Sequence, residues 1–385
     1  MKYLKWVLLL VVAVVAVTLI LNIGDARRTA TVMVGGVDAV AYQEPRIAVK
    51  MPDGPPQPKV SPEEAGISQE GIQAVLDYAG PRNTRALIIG HGGHIAFEKY
   101  WGGTSLDMPV DLSGFTPVLS ALVLGSVMND ERSVNLDTPL SGYISEWESD
   151  PRGQVSLRQL LTRSSGFAKP AGWPWPGTPP ALYALGQDLR PVLLSWPLDP
   201  ALRQGESPAD VNADMLALAL SNRFQQPYDK LLTERIWKPI GAGDFSMGAG
   251  ARAGCCIRTR LGDWMRIGEV LANDGVFEGT QLTPPNFVNH MLKPMFPNAS
   301  SGYFTRVGTT GQFAAHDVAW LESPGKQRLW IVPSLRLTIL RVGGEPPADK
   351  GWDEAMIPDN IIRNIAGWQP GKVGEGFDPN KFAPH

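Results

Sequence analysis

The order of the secondary-structure patterns is the feature that most restricts the fold of this chain. A helical pattern comes first, in SPEEAGISQEGIQAVLDYA, and an apolar hairpin follows in TRALIIGHGGHIAFEKYWGG. Helical patterns and loops fill the middle, at about residues 115–245, and three apolar runs then predict a β-meander before a closing helix. This order predicts a mixed fold, α/β in the broad sense and α+β in detail. Both ends of the chain would build an antiparallel sheet flanked by helices, and the middle would form an inserted helical lobe.

Local signals predict where several helices begin. Ser61 is a candidate N-cap with Pro62 at the first helical position, and Ser156 is a candidate N-cap in VSLRQLLTRSSG. In DLSGFTPVLSALVLG, Thr116 is a candidate N-cap and Pro117 a favourable first residue of a buried helix. That stretch therefore has the form of a catalytic helix, and its tip is the first place to search for reactive groups.

The N-terminus carries an apolar run, at residues 6–23, that is long enough to predict an uncleaved signal anchor in a membrane; a cleaved signal peptide is the alternative. The body is then expected outside the cytoplasm, in the periplasm of a Gram-negative source. The predicted organisation is an anchor at 1–24, a Pro-rich linker at 25–60, a folded domain at 61–370 and a tail at 371–385. Within the folded domain, residues at about 61–115 and 246–370 would form a sheet lobe, and residues at about 116–245 a helical lobe.

Charge and cysteine content exclude some classes of function. The net charge of −3 gives no reason to expect nucleic acid as a partner. Cys255 and Cys256 are the only cysteines, and because a disulfide between neighbours closes a strained eight-membered ring, two buried thiols are expected. No His/Cys spacing typical of a metal site is present, so neither a metal nor a cofactor is predicted.

Seven segments in the same order resemble the serine β-lactamase and DD-peptidase superfamily, especially its class C-like branch with the 6-aminohexanoate-dimer hydrolases. The segments are GISQEGIQAVLDYA, IIGHGGHIAFEKYW, SVNLDTPLSGYISEW, VSLRQLLTRSSGF, PYDKLLTERIWKPIGA, DWMRIGEVLANDG and QRLWIVPSLRLTILRVGG. The resemblance implies an active site at the seam between the two lobes. It also implies three motifs: Ser-x-x-Lys at a helix start, Tyr-x-Asn or Ser-x-Asn in the helical lobe, and Lys-Thr-Gly or His-x-Gly on a strand.

The resemblance places these motifs on residues that depart from the pattern. The serine position, eleven residues before Gly125, is Gly114, and the lysine position is Pro117. Neither can attack a carbonyl or accept a proton. The second motif falls on Asp210-Val211-Asn212, which keeps only the asparagine, and the third falls on Pro324-Gly325-Lys326.

Three functions remain open from the sequence. The first is a membrane-anchored, catalytically impaired or divergent relative, a pseudoenzyme, that binds a small amide, ester or peptidoglycan-like ligand or a protein partner. The second is an active amide or ester hydrolase with a relocated nucleophile, for which Ser113 is the first candidate although Thr116 stands where a lysine is needed. The third is a non-enzymatic scaffold of the cell envelope. Losing nucleophile and base removes about 10⁶ in rate from a triad hydrolase, which favours the first.

Other candidate residues have simpler structural explanations. Ser323-Pro324-Gly325-Lys326 is a literal Ser-x-x-Lys, but it fits a β-turn, although Lys326 alone could hold a carboxylate ligand. Ser164 and Ser165 are interpreted as capping residues, His91 and His94 as hairpin residues, and His316 and Asp317 as the start of a strand. Trp101, Trp173 and Trp175 are interpreted as packing and loop residues, and Trp173 and Trp175 could also line a ligand groove.

Overall fold

The fold was analysed in a computed structural model of the chain. It describes residues 2–21, 23, 30, 46–52, 54–130, 134–168, 183, 188–199, 201–202, 207–248, 250, 252–296 and 299–370. Trp173 and Trp175, the tail at 371–385 and the part of the predicted linker before residue 46, apart from residue 30, lie outside these residues.

The main elements follow the predicted order of a helix and hairpin, then several helices, then a meander and a closing helix. The α-helices are α1 (Lys2–Leu21), α2 (Gln69–Ala79), α3 (Pro117–Asp130), α4 (Leu157–Leu161), α5 (Arg190–Leu194), α6 (Ala209–Phe224), α7 (Tyr228–Leu232), α8 (Leu261–Ala272), α9 (Pro285–Leu292) and α10 (Met356–Ile362). The strands are β1 (Arg46–Val49), β2 (Thr84–His91), β3 (His94–Tyr100), β4 (Pro109–Asp111), β5 (Phe245–Gly248), β6 (Arg258–Arg260), β7 (Val276–Phe277), β8 (Thr280–Gln281), β9 (Arg306–Val307), β10 (Ala319–Ser323), β11 (Gln327–Val332) and β12 (Leu337–Gly343).

An antiparallel sheet in the order β3-β2-β12-β11-β10-β9 forms the centre of the fold. Its strands come from both ends of the body, and β12 pairs with β2 in a register that places Ile339 opposite Ile89. Successive side chains of a strand point to opposite faces of a sheet. Both faces are covered here, which explains why β2, β11 and β12 are almost continuously apolar. The predicted α+β class, hairpin and meander are confirmed.

The two faces of this sheet belong to two hydrophobic clusters. Ala86 and Ile88 pack with α3, α6 and α8, whereas Leu87 and Ile89 pack with α2 and the closing helix α10. The first cluster continues into the helical part of the chain, so α3 is buried along most of its length between the sheet and α6. The start of α3 is thereby held against the edge of the sheet, where the candidate site lies.

Two of the predicted helix starts are wrong. Ser68, not Ser61, caps α2, and its hydroxyl accepts a hydrogen bond from the N–H of Gly71. Ser61 and Glu64 instead bond each other's backbone N–H in a separate turn, which is why the sequence there has the form of a capping box. Thr116 has helical backbone angles rather than the extended ones of an N-cap, because a short 3₁₀ helix, Ser113–Phe115, runs directly into α3. The predicted cap at Ser156 is confirmed.

The predicted transmembrane anchor at residues 6–23 is also wrong. Among the described residues, no helix combines the length and the apolar character needed to cross a membrane. The predicted location of the body outside the cytoplasm depended on this anchor and is corrected with it.

A second, smaller sheet, in the order β1-β5-β6-β4, buries a carboxylate. Asp111 ends β4 opposite Arg258, and neither of its carboxylate oxygens has a hydrogen-bond partner in the part of the chain that is described. Burial raises the pKa of Asp111 to about 6, although the charges of Arg46 and Arg258 act in the opposite direction. Between about pH 4 and pH 6 the folded protein keeps a proton on Asp111 that the unfolded chain has lost. The contribution of this group to the free energy of unfolding is therefore complete below about pH 4 and is lost as the pH rises through about 6.

Asp111→Asn is therefore expected to change the pH dependence of stability. Relative to the unsubstituted protein, its free energy of unfolding should rise by about 2–3 kcal/mol between pH 4 and pH 7. Urea denaturation at four pH values across this range measures the difference, and Asp107→Asn, an exposed site four residues earlier, is the control. Parallel pH profiles for the protein and for Asp111→Asn would contradict this assignment.

Candidate active site

A cavity of about 870 Å³ opens where the start of α3 meets the end of β10 and the start of α6. Ser113, Gly114 and Pro117 line it from the side of α3. Asp210 lines it from α6, and Pro324 from the turn after β10. The candidate Ser113 and four of the six sequence-derived motif positions, from three distant segments, therefore line one cavity. Its volume is in the range of small-molecule sites, about 300–1,000 Å³.

The other two motif positions do not line this cavity. Asn212 is fully buried, and its amide nitrogen donates a hydrogen bond of 2.6 Å to the carbonyl oxygen of Pro208, one turn earlier. Lys326 lies in the β10–β11 turn, with φ of 54°, and its carbonyl oxygen accepts a hydrogen bond from Nη1 of Arg341. The Ser-x-x-Lys at 323–326 is thus a turn, and Ser323 uses its hydroxyl to accept a bond from the N–H of Gly114.

Strand β10 occupies the space that a side chain at position 114 would need. A Cβ built on Gly114 would overlap the carbonyl oxygen of Glu322 and lie 2.9 Å from Cα of Ser323. Real Cβ atoms do not approach backbone atoms this closely, and backbone cannot move aside as a flexible side chain can. At the family's serine position, the packing of the strand therefore matches glycine and not serine.

The first turn of α3 offers no base at the family's lysine position. Pro117 is buried, and its ring has no group that could accept a proton. Beside it, Thr116 is also buried, and among the described residues its hydroxyl oxygen has no hydrogen-bond partner. Ser120 lies three residues after Pro117, and its hydroxyl donates a hydrogen bond to the carbonyl oxygen of Pro117. Of the hydroxyl-bearing residues Ser113, Thr116 and Ser120, Ser113 lines the cavity.

Charges of both signs line the cavity, and the sequence analysis identified only Asp210. Arg306, on β9, donates from Nε to Glu322 at 2.7 Å, and both side chains line the cavity. Arg163 lines it as well and donates from Nε to the carbonyl of Ser207. A guanidinium has five N–H donors, so one bond at Nε does not exhaust Arg306. Arg163 follows a helix end and Arg306 begins a two-residue strand, so no local sequence pattern marks either.

The loop that follows β5 forms a further wall and contains a disulfide. Cys255 and Cys256 are bonded to each other, so the prediction of two thiols is wrong. Cys255 lines the cavity and is half-buried, whereas Cys256 is fully buried. The φ of Cys256 is 71°, so the eight-membered disulfide ring is accommodated by a left-handed backbone at this residue. The sequence pattern did not indicate this conformation.

Asp214 of α6 positions this loop. It is buried, and its Oδ1 accepts hydrogen bonds of 2.8 Å from the N–H groups of both Ala253 and Gly254. Its Oδ2 accepts a bond of 2.9 Å from the hydroxyl of Tyr183. Burial raises the pKa of Asp214, and the charge of Arg252 and these hydrogen bonds act in the opposite direction. Asp214 thus connects the helical part of the chain to the wall that carries Cys255.

The histidines singled out in the sequence belong to other parts of the fold. His91 and His94 flank the β2–β3 turn, and Nδ1 of His91 lies 2.7 Å from the carbonyl oxygen of Ala65. Asp317 precedes β10 and accepts two hydrogen bonds from Ser334. Within the described ranges, no group of His, Cys, Asp and Glu side chains could hold a metal ion.

Comparisons with known proteins connect this geometry to a family. The β-lactamase family model matches residues 77–254. The D-alanyl-D-alanine-carboxypeptidase/endopeptidase AmpH of Escherichia coli K12 is 24% identical over 199 residues, which is 49% of this chain and 51% of that protein. These matches support the serine β-lactamase and DD-peptidase superfamily. It spans about half the length of the curated relatives that it matches.

Solved structures share the fold over most of the chain. A Bacillus anthracis protein named as a 6-aminohexanoate-dimer hydrolase superposes with a TM-score of 0.63 at 18% identity, covering 79% of this chain and 87% of its own. FmtA from Staphylococcus aureus superposes with a TM-score of 0.59 at 11% identity, covering 84% and 97%. At such identities the likeness shows the β-lactamase/transpeptidase-like fold, and the function has to be argued from the cavity.

Proposed function

We propose that this member of the β-lactamase-related serine hydrolase family binds a small amide, ester or peptidoglycan-like ligand in the cavity beside Gly114, without acyl transfer at the family's serine position. The observation that carries the proposal is the contact between Gly114 and β10. The Cβ of a serine at this position would overlap the carbonyl oxygen of Glu322. With Pro117 in place of a base, the two groups that start acyl transfer in the family are both missing.

The lining of the cavity supports a polar ligand that carries a carboxylate. Arg306 and Arg163 offer guanidinium groups, and charge-assisted hydrogen bonds to carboxylates are among the stronger polar contacts in proteins. Asp210 and Glu322 supply acceptors for N–H groups of the same ligand. The names of the relatives, a D-alanyl-D-alanine-carboxypeptidase and a 6-aminohexanoate-dimer hydrolase, both refer to molecules with an amide bond and a terminal carboxylate. A cavity of this size weighs against a scaffold with a filled cleft.

Binding without turnover is the expected result when the full chain is mixed with an N-acylated D-alanyl-D-alanine dipeptide. Calorimetry should report a reversible complex, and mass spectrometry should report uncleaved dipeptide. Arg306→Gln should weaken binding about tenfold or more, because a hydrogen bond to a charged group contributes about 1.5–3 kcal/mol. Arg363→Gln is the matched control, since Arg363 also pairs with a carboxylate, that of Asp359, but on the opposite face of the sheet. Equal affinity in both variants, or no binding, would refute the proposal.

Ser113 supports a second candidate function, because it lines the same cavity. As a relocated nucleophile, it would form a covalent adduct with a fluorescent penicillin or a fluorophosphonate. Peptide mapping identifies the modified residue, and Ser300→Ala and Ser301→Ala, two other serines at the cavity, are the controls for Ser113→Ala. An adduct that only Ser113→Ala abolishes would establish this hydrolase and overturn the binding proposal.

A further inference from the structure

One half of the Cys255–Cys256 disulfide, Cys255, lies at the wall of the cavity. Cys255 is half-buried and lines the cavity, while Cys256 has no exposed surface. A thiolate that attacks a disulfide must approach one sulfur directly, so access decides which bond forms. Because Cys256 is fully buried, a thiolate in the cavity has access to the disulfide only from the side of Cys255.

The backbone around the disulfide is held from several sides. Asp214 accepts bonds from Ala253 and Gly254, and the carbonyl oxygen of Cys256 accepts a bond from Nη2 of Arg46. Gly254 lies so close to α6 that an added Cβ would be 2.7 Å from Cα of Asp210. A movement of this loop would therefore be transmitted to Asp210, which also lines the cavity.

We infer that the Cys255–Cys256 disulfide is a thiol–disulfide exchange site, reduced by a dithiol that enters the cavity, and that its oxidation state controls ligand binding there. The part of this inference that concerns exchange depends on the position of Cys255 alone. The part that concerns ligand binding rests on the proposed function. The reductant is a dithiol by chemical class, because an adjacent thiolate can reverse the attack of a single thiol.

The exchange balances as a two-electron reduction. One thiolate of the dithiol attacks Sγ of Cys255, the bond to Sγ of Cys256 breaks, and Cys256 leaves as a thiolate that takes up a proton. The second thiolate of the dithiol then attacks the other sulfur of the same dithiol, which is bonded to Sγ of Cys255 in the mixed disulfide. This step releases Cys255 as a thiolate, which is also protonated. The dithiol is oxidised to a disulfide, and the protein gains two thiols.

Reduction is expected to change the wall of the cavity because of the backbone at Cys256. The φ of Cys256, 71°, lies in the left-handed region, which is unfavourable for a residue with a Cβ. The covalent ring holds the residue there, and two unbonded sulfur atoms must separate to van der Waals distance. Since Cys256 is fully buried, it can relax only if the loop shifts, and Gly254 transmits that shift to Asp210.

Alkylation of the folded, full-length chain tests the exchange. Without reductant, iodoacetamide should add nothing at either cysteine. After dithiothreitol and its removal, intact mass should show one rapid addition, mapped to Cys255, and a second only after denaturation. A monothiol at the same thiol concentration should give far less reduction. Alkylation without reductant, or resistance to the dithiol until the protein is denatured, would overturn the exchange site.

Ligand affinity tests the coupling, and two double variants separate its cause. Cys255→Ala/Cys256→Ala should bind the acylated dipeptide like the reduced protein, at least threefold differently from the oxidised protein. Cys255→Ala/Cys256→Gly should differ from that variant in the direction of the oxidised protein, because both carry alanine at the cavity and glycine accepts the left-handed φ without a disulfide. Neither variant should respond to the dithiol. Equal affinity in oxidised and reduced protein would refute the coupling, whereas no binding in any state refutes the proposed function and leaves the alkylation result intact.

Discussion

Gly114→Ser is expected to lower the free energy of unfolding by about 3 kcal/mol, the upper part of the usual range for overpacking a buried contact. The added Cβ would overlap the Glu322 carbonyl oxygen, so β10 or the 3₁₀ helix before α3 must shift. The N–H of Gly114 also donates to Ser323, and this bond is expected to lengthen with the shift. Chemical denaturation of the purified variant measures the loss directly.

Gly142→Ser is the matched control for this substitution. Gly142 also lies in a three-residue 3₁₀ helix, Leu140–Gly142, but a Cβ there would meet only the methyl group of Thr138, at an ordinary 3.4 Å. This variant should lose less than about 1 kcal/mol. Equal stability of the two variants would mean that β10 does not close the position.

The same geometry predicts that restoring the family motif does not restore its chemistry. Gly114→Ser combined with Pro117→Lys supplies a nucleophile and a base in sequence, but the serine would begin against β10 instead of in the open cavity. A fluorescent penicillin should leave no adduct on the folded double variant. A rapid stoichiometric adduct on the introduced serine would show that the strand yields, and would sink the explanation from packing.

Asp214→Ala is expected to be the most destabilising substitution, by about 3–5 kcal/mol. It leaves the N–H groups of Ala253 and Gly254 and the hydroxyl of Tyr183 without their acceptor. It also removes the carboxylate that faces the buried guanidinium of Arg252. Uncompensated buried polar and charged groups account for such large losses. Urea denaturation measures the change in free energy.

Asp214→Asn is the control, since it keeps the shape and an oxygen that can accept from both backbone N–H groups. Its loss should be less than half that of Asp214→Ala. In the alanine variant we also expect Cys256 to become reactive to iodoacetamide after reduction without denaturation, because the loop has lost its anchor. Equal losses in the two variants would show that the hydrogen bonds to Asp214 do not hold the loop.

The sequence was informative wherever a feature depends on neighbouring residues. The apolar runs of β2, β11 and β12 and the N-cap at Ser156 are local patterns, and each appears in the structure where it was predicted. Order along the chain was sufficient to predict the α+β class. The start of α2 was misplaced because two similar capping sequences compete, at Ser61 and at Ser68, and only the packing of the helix selects the second.

The candidate site was predictable only in part, for the same reason. Spacing from Gly125 located Gly114 and Pro117, because α3 is one continuous helix. Asn212 and Lys326 were predicted from a family motif, but one bonds back into its own helix and the other lies in a turn, away from the cavity.

The sequence by itself determined the elements of this protein, their order and the absence of serine and lysine at the family's positions. Only the tertiary structure decided that β10 fills the space beside Gly114, that Arg163, Arg306 and Glu322 join Asp210 around one cavity, and that two neighbouring cysteines are bonded at its wall. The physical reason is distance along the chain. Helix and strand patterns follow from interactions within a few residues, whereas the Gly114–Ser323 contact joins residues 209 positions apart and exists only once the sheet and α3 have packed.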